Sequence, residues 1–157
     1  MAVKFHLNSQ QVDLNLEDDT PLIYALRNDL GINSSRLGCG LAQCGSCTVL
    51  VDEQPARACV LPVKSVNGKK VTTLEGLGEP ASPHPLQQAF IDEQAMQCGY
   101  CASGIIMAAS ALLKANNDPS DSDIHDALIG HICRCGTHHR IVRAIKKAAA
   151  MSRESSQ

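Results

Sequence analysis

Hydrophobic and polar residues alternate twice at the start of the chain. Val3, Phe5 and Leu7 form the first apolar set, and Val12, Leu14 and Leu16 the second. A period of two predicts two β-strands, and the polar "NSQQ" between them predicts the turn of an antiparallel hairpin. Thr20 and Pro21 then read as an N-cap and a first-turn proline. Leu22, Ile23, Ala25, Leu26 and Leu30 supply a helical face that stops at Gly31. "CTVLVD", "ACVLPV" and "KKVTTLE" are rich in β-branched residues and predict further strands. Strands, one helix and a cysteine loop make an α+β unit over residues 1–75. "EGLGEPASPHP" holds two glycines and three prolines, which interrupt regular structure and mark a linker over 76–85. Beyond it the period becomes helical over 86–157. Its apolar positions are Leu86, Ala89 and Phe90; Ile105, Ile106, Ala109, Leu112 and Leu113; Ile124, Ala127 and Leu128; then Ile141, Val142, Ala144, Ile145 and Ala148. Four short helices are expected there. Ser120 with Asp123 forms a capping pair for the third, and Thr137 is placed to cap the fourth. The "SRESSQ" tail reads as mobile.

A chain of 157 residues, 44% hydrophobic, can bury one ordinary core or two small ones. With aromatics at 3% and no Trp, that core is built from aliphatic side chains. Lys and Arg number 14 against 16 Asp and Glu, a net charge of −2, which argues against nucleic acid as a partner and against a polybasic membrane patch. Lys4 and His6 interrupt what would be the apolar stretch of an export signal, so none is expected in this chain. No run approaches the ~20 apolar residues that span a bilayer. The expected location is cytoplasmic, or periplasmic or membrane-associated through a partner subunit.

Eight cysteines without an export signal argue for reduced thiols with a chemical task. Cys39, Cys44 and Cys47 follow C-x4-C-x2-C, and Cys59 follows after eleven intervening residues. That is the plant-type 2Fe-2S spacing. Gly38, Gly40 and Gly45 let the loop take positive φ and turn N–H groups toward anionic sulfur. Zinc favours paired C-x2-C knuckles, so the x4 gap discriminates against it. Cys98 with Cys101, and Cys133 with Cys135, form a less specific set that alone suits zinc or iron equally, with buried apolar cysteines still open. The first set implies electron transfer, and helix N-termini near Ala102 and Thr137 would favour an anionic centre; both turn the reading toward iron. A zinc-binding structural or interaction module without redox role is the alternative.

"GCGLAQCGSCTVLVD" with Cys59, then "TTLEGLG", "HPLQQAFIDEQAMQCGYCASGIIM" and "CRCGTHHRIVRAI", resembles the small iron-sulfur subunit of the molybdenum hydroxylases, the xanthine oxidase family. The resemblance implies a β-grasp, ferredoxin-like N-terminal domain followed by a C-terminal four-helix bundle, with one 2Fe-2S cluster in each. Cys39, Cys44, Cys47 and Cys59 would hold the distal cluster, and Cys98, Cys101, Cys133 and Cys135 the one nearer molybdenum. Gln97 and Cys135 would contact the pterin of a molybdopterin, in its cytosine dinucleotide form, on a large partner subunit. The chain itself would carry electrons and have no catalytic residue. "TPLIYALRNDLGIN" and "HPLQQAFIDEQ" are similar to small subunits of nicotinate and isoquinoline oxidoreductases and of bacterial aldehyde dehydrogenases. An aldehyde or N-heterocycle is therefore the expected substrate of the complex. A cytochrome is the expected electron acceptor, or else a flavin subunit. One departure stands out: the family commonly has Asn-Leu before C-R-C, where this chain has His131-Ile132.

His6, His84, His125, His138 and His139 read as solvated surface residues. Arg140, Arg143, Lys146 and Lys147 suit the negative end of the last helix, with docking of an acidic partner the sharper alternative. Met96 and Met107 read as core. Ser46 and Ser103 lack a base at triad spacing.

Overall fold

The computed structural model describes residues 2–154, and the "SSQ" end of the expected mobile tail lies outside them. The expected hairpin forms from β1 (Ala2–Leu7) and β2 (Gln10–Asn15), with Phe5 opposite Val12. Asn8 and Ser9 between them have φ of 48° and 77°, the paired positive values of a tight turn matched to strand twist. β3 (Thr48–Val51), β4 (Gln54–Arg57) and β5 (Lys70–Thr72) complete a mixed sheet of order β2-β1-β5-β3-β4, in which only β1 and β5 run parallel. α1 (Leu22–Tyr24) continues as a π-helical turn over Ala25–Asp29. Its Leu22, Ile23, Ala25 and Leu26 pack on Val3, Phe5, Leu7, Val49 and Val71 in the first core.

Two expectations fail in this half. Thr20 does not cap α1: Pro21 occupies the cap in extended backbone with no side-chain bond. "ACVLPV" is not a strand either, and β4 lies before it. The N–H groups of Leu22 and Ile23 donate to Leu61 O (2.7 Å) and Ala58 O (3.0 Å), and Val63 N–H donates to Thr20 O (2.8 Å). This segment therefore spends its backbone groups on the start of α1, and it buries Ala58, Cys59 and Val63 without a pleat while Val60 stays exposed.

The four expected helices are α2 (Pro85–Asp92), α3 (Ala102–Ala115), α4 (Asp121–Ala127) and α5 (His138–Glu154). They share a second core of Leu86, Phe90, Ile105, Ile106, Ile124, Ile141 and Ile145, onto which Leu74 and Leu77 also pack. Ser120 and Asp123 cap α4 reciprocally, as expected. His84, read as a surface residue, instead caps α2 in a box with Gln87, and burial lowers its pKa. Met107 is buried, whereas Met96 is 39% exposed and is not core. Three cations of the basic set on α5 pair at the surface within the chain, Arg143 with Glu93, Lys146 with Asp121 and Lys147 with Asp92. No helix among the described residues is long and apolar enough to cross a membrane.

The halves meet where α3 packs on β3. Gly104 lies in the first turn of α3, and a Cβ there would overlap the backbone of Gly45. Ser103 Oγ donates to Ser34 O (2.5 Å), Arg36 to Gly99 O (2.7 Å), and Tyr100 Oη to Leu37 O (2.7 Å). Replacing Gly104 by Val should force this interface apart. Overpacking costs about 1–3 kcal/mol, which lowers the unfolding midpoint by roughly 2–4 °C per kcal/mol at this size. Thermal denaturation followed by circular dichroism reads it, and an unchanged midpoint contradicts the close approach.

Candidate metal centres

The first thiol set occupies the loop between α1 and β3, together with the turn after β4. The loop curls because Gly40, Ala42 and Gly45 all take positive φ (69°, 60° and 77°). The curl points the N–H groups of Leu41, Gln43 and Cys44 at Cys39 Sγ, at 3.3, 3.2 and 3.4 Å. These donors stabilise a thiolate and bring the exposed Cys39 thiol down to about 7. Cys39 N–H donates to Cys44 Sγ at 3.4 Å. A Cβ on Gly38 would stand 2.7 Å from Cys44 Sγ, so that glycine makes room for the sulfur. Cys47, at the foot of β3, is 1% exposed, and burial pushes its thiol up to about 11, with Cys59 as its neighbour. The thiols thus stand as two pairs, Cys39 with Cys44 and Cys47 with Cys59.

The second set brackets α3 and α5. Cys98 precedes α3, Cys101 is its N-terminal boundary residue, and Cys133 and Cys135 lie between α4 and α5. Cys98 and Cys135 are 3.5 Å apart at Sγ, and Cys101 contacts Cys133. Pairing is again two and two. Cys98 is exposed and held low by the Tyr100 N–H, whereas burial, then Cys133, pushes Cys101 up to about 12. Thr137, expected as a cap, turns its hydroxyl to Cys133 Sγ at 3.2 Å, while its carbonyl accepts the first α5 N–H groups. Gln97 is exposed beside Cys98.

Eight thiolates in two quartets, each split into pairs and supplied with backbone donors, suit two dinuclear centres in which each iron takes two thiolates. Among the described residues no three His, Cys, Asp or Glu side chains converge closely enough for one metal ion.

Sequence reasoning missed His131. Its Nε2 lies 2.9 Å from Arg57 Nη1 and 3.1 Å from Thr48 Oγ1, and its ring covers Gly45. Burial and then Arg57 push its pKa down to about 4. Only the departure from the family pattern at His131-Ile132 hinted at it.

A sheet half and a helical half, each with a thiol quartet, define a two-centre iron-sulfur protein. Comparison with known proteins agrees: residues 5–73 match the 2Fe-2S iron-sulfur cluster binding domain and residues 73–146 the [2Fe-2S] binding domain. The chain is 51% identical over 153 residues to a nicotinate dehydrogenase subunit from Pseudomonas putida, covering 98% of each. It is 47% identical over 148 residues to the alpha subunit of isoquinoline 1-oxidoreductase from Brevundimonas diminuta, covering 94% of this chain and 97% of that one. The aldehyde oxidoreductase structure from Desulfovibrio gigas superposes with a TM-score of 0.95 at 35% identity over 99% of this chain, which spans 17% of that protein. The chain belongs to the small iron-sulfur subunits of the xanthine oxidase family, the electron-transfer parts of molybdenum-dependent oxidoreductases.

The thiols differ in reactivity as their surroundings differ. In the metal-free chain at pH 7.5, iodoacetamide should modify Cys39 and Cys98 first and Cys47 and Cys101 last, read by peptide mass spectrometry against time. Uniform labelling contradicts the geometry.

Proposed function

We propose that Cys39, Cys44, Cys47 and Cys59 hold one 2Fe-2S cluster and Cys98, Cys101, Cys133 and Cys135 a second. The chain then relays electrons from a molybdopterin site on a large subunit to an external acceptor. Each cluster supplies one-electron transfer when bound. The observation that carries the relay is a single hydrogen bond: Ile132 N–H donates to Cys44 O at 3.0 Å. It joins the residue before Cys133 directly to a thiol-bearing residue of the other quartet. The separate cores support two cluster-carrying units, a ferredoxin-like domain over 1–75 and a four-helix bundle over 86–157, connected through 76–85.

Direction follows from exposure. Gln97 and Cys98 lie on the surface of the helical half, where an amide with donors and an acceptor can meet a pterin edge and Cys135 stands beside Cys98. We assign that face to the large subunit, which carries the molybdopterin in its cytosine dinucleotide form. Cys39 and Leu41 are exposed on the sheet half and face the acceptor, a cytochrome-type partner, the other outcome being a flavin subunit. The substrate of the complex is an N-heteroaromatic compound, supported by the nicotinate and isoquinoline relatives at 51% and 47% identity. An aldehyde is the second reading, favoured by the fold's likeness to an aldehyde oxidoreductase.

The purified complex should contain four irons and four acid-labile sulfides per small subunit, two for each quartet. A colourless chain with stoichiometric zinc contradicts the reading. Order is tested by stopped-flow absorbance and low-temperature EPR. Cys44→Ser should leave substrate-driven reduction of the helical-half cluster intact while slowing turnover with the acceptor. Gln97→Ala should slow reduction of both clusters by substrate and leave reduction by dithionite unchanged. Loss of the helical-half signal in Cys44→Ser reverses the proposed order.

A further inference from the structure

His131 sits at the seam between the two thiol quartets, and no ligand role uses it. A guanidinium nitrogen can only donate, so Nε2 accepts from Arg57 Nη1 at 2.9 Å, and the imidazole is the neutral Nδ1–H tautomer. Thr48 Oγ1 donates to Gly45 O at 2.6 Å and accepts from the same Arg57 nitrogen. Arg57 also reaches Gly130 O at 3.3 Å. Arg57 therefore bridges β3 of the sheet half and the 130–131 turn of the helical half. The ring occupies the space a side chain at residue 45 would need, since a Cβ on Gly45 would stand 2.7 Å from His131 Cγ. The next residue, Ile132, makes the hydrogen bond to Cys44 O. Nδ1 is buried and turned toward the backbone of Leu128 and Ile129, outside good hydrogen-bond geometry.

We propose that His131 is a positioning residue for electron passage between the quartets: by accepting from Arg57 and filling the space over Gly45, it holds the Ile132 N–H against Cys44 O. The inference rests on the relay reading above. The spacing across the seam is then set in this chain by the His131–Arg57 contact.

The test uses the assembled complex with His131→Ala, His131→Gln, Arg57→Met and the Ala/Met double variant. Iron and sulfide content and the dithionite-reduced spectra come first. Missing clusters in the unaltered complex would defeat the relay reading itself, independently of His131. With clusters present, hydrogen exchange at the Ile132 amide should quicken about tenfold in His131→Ala, as expected for loss of one buried bond of about 1.4 kcal/mol. The spin–spin splitting between the two reduced clusters should shrink, and the sheet-half cluster should be reduced more slowly after the helical-half one. His131→Gln retains a neutral acceptor and should restore both signals toward the unaltered values. Arg57→Met should reproduce the Ala phenotype, with the double variant no worse than either single one. If His131→Ala fails to assemble, Gln against Arg57→Met still decides. Unchanged exchange and splitting in the Ala or Met variant, additive effects in the double one, or no rescue by Gln would overturn the proposal.

Discussion

The close approach of the first turn of α3 to the Cys44–Ser46 turn is the constraint on which the arrangement depends. Both thiol quartets lie on loops, and loops are the mobile part of most folds. Here the two sets of loops immobilise one another. Gly104 and Gly45 have no Cβ, so backbone meets backbone, and bonds from Ser103, Arg36, Tyr100, Arg57 and Ile132 cross the seam on either side of that contact. A hydrogen bond contributes about 1 kcal/mol net, but several in one small interface remove the freedom of two separate cores to drift. A relay requires that fixed spacing, because electron passage depends on how the two centres are held.

Each quartet runs from buried to exposed. Cys47 and Cys59 lie under the sheet half and Cys133 under the helical half, whereas Cys39 and Cys98 reach solvent. Cys39 and Cys98 are stabilised as thiolates by backbone N–H groups, whereas burial makes Cys47 and Cys101 costlier to ionise.

Periodicity revealed the β1–β2 hairpin and the four later helices, most of which bury one side, although α3 is buried all round over Ala102–Ala109. The C-x4-C-x2-C spacing singled out the first thiol set, since it needs a tight loop whose glycines and sulfurs are local in sequence, whereas the spacing of the second set was less specific. What was illegible is long-range. "ACVLPV" looked like a strand because apolar runs do not say whether their carbonyls serve a sheet or the start of a helix. His84 looked like a surface residue and His131 was given no role, because nothing near them in sequence shows that Gln87 completes a box or that Arg57 lies 74 positions away across the seam. The ion pairs of the α5 cations were illegible because their partners lie on α4, on α2 and at the end of α2.

The central claim is that two dinuclear iron centres sit in these two quartets at a spacing held by the seam. Anomalous diffraction at the iron edge from crystals of the assembled complex tests it most directly. The account predicts two resolved pairs of iron peaks, one among Cys39, Cys44, Cys47 and Cys59 and one among Cys98, Cys101, Cys133 and Cys135. A single peak in either quartet, or a signal that appears at the zinc edge instead, would contradict it.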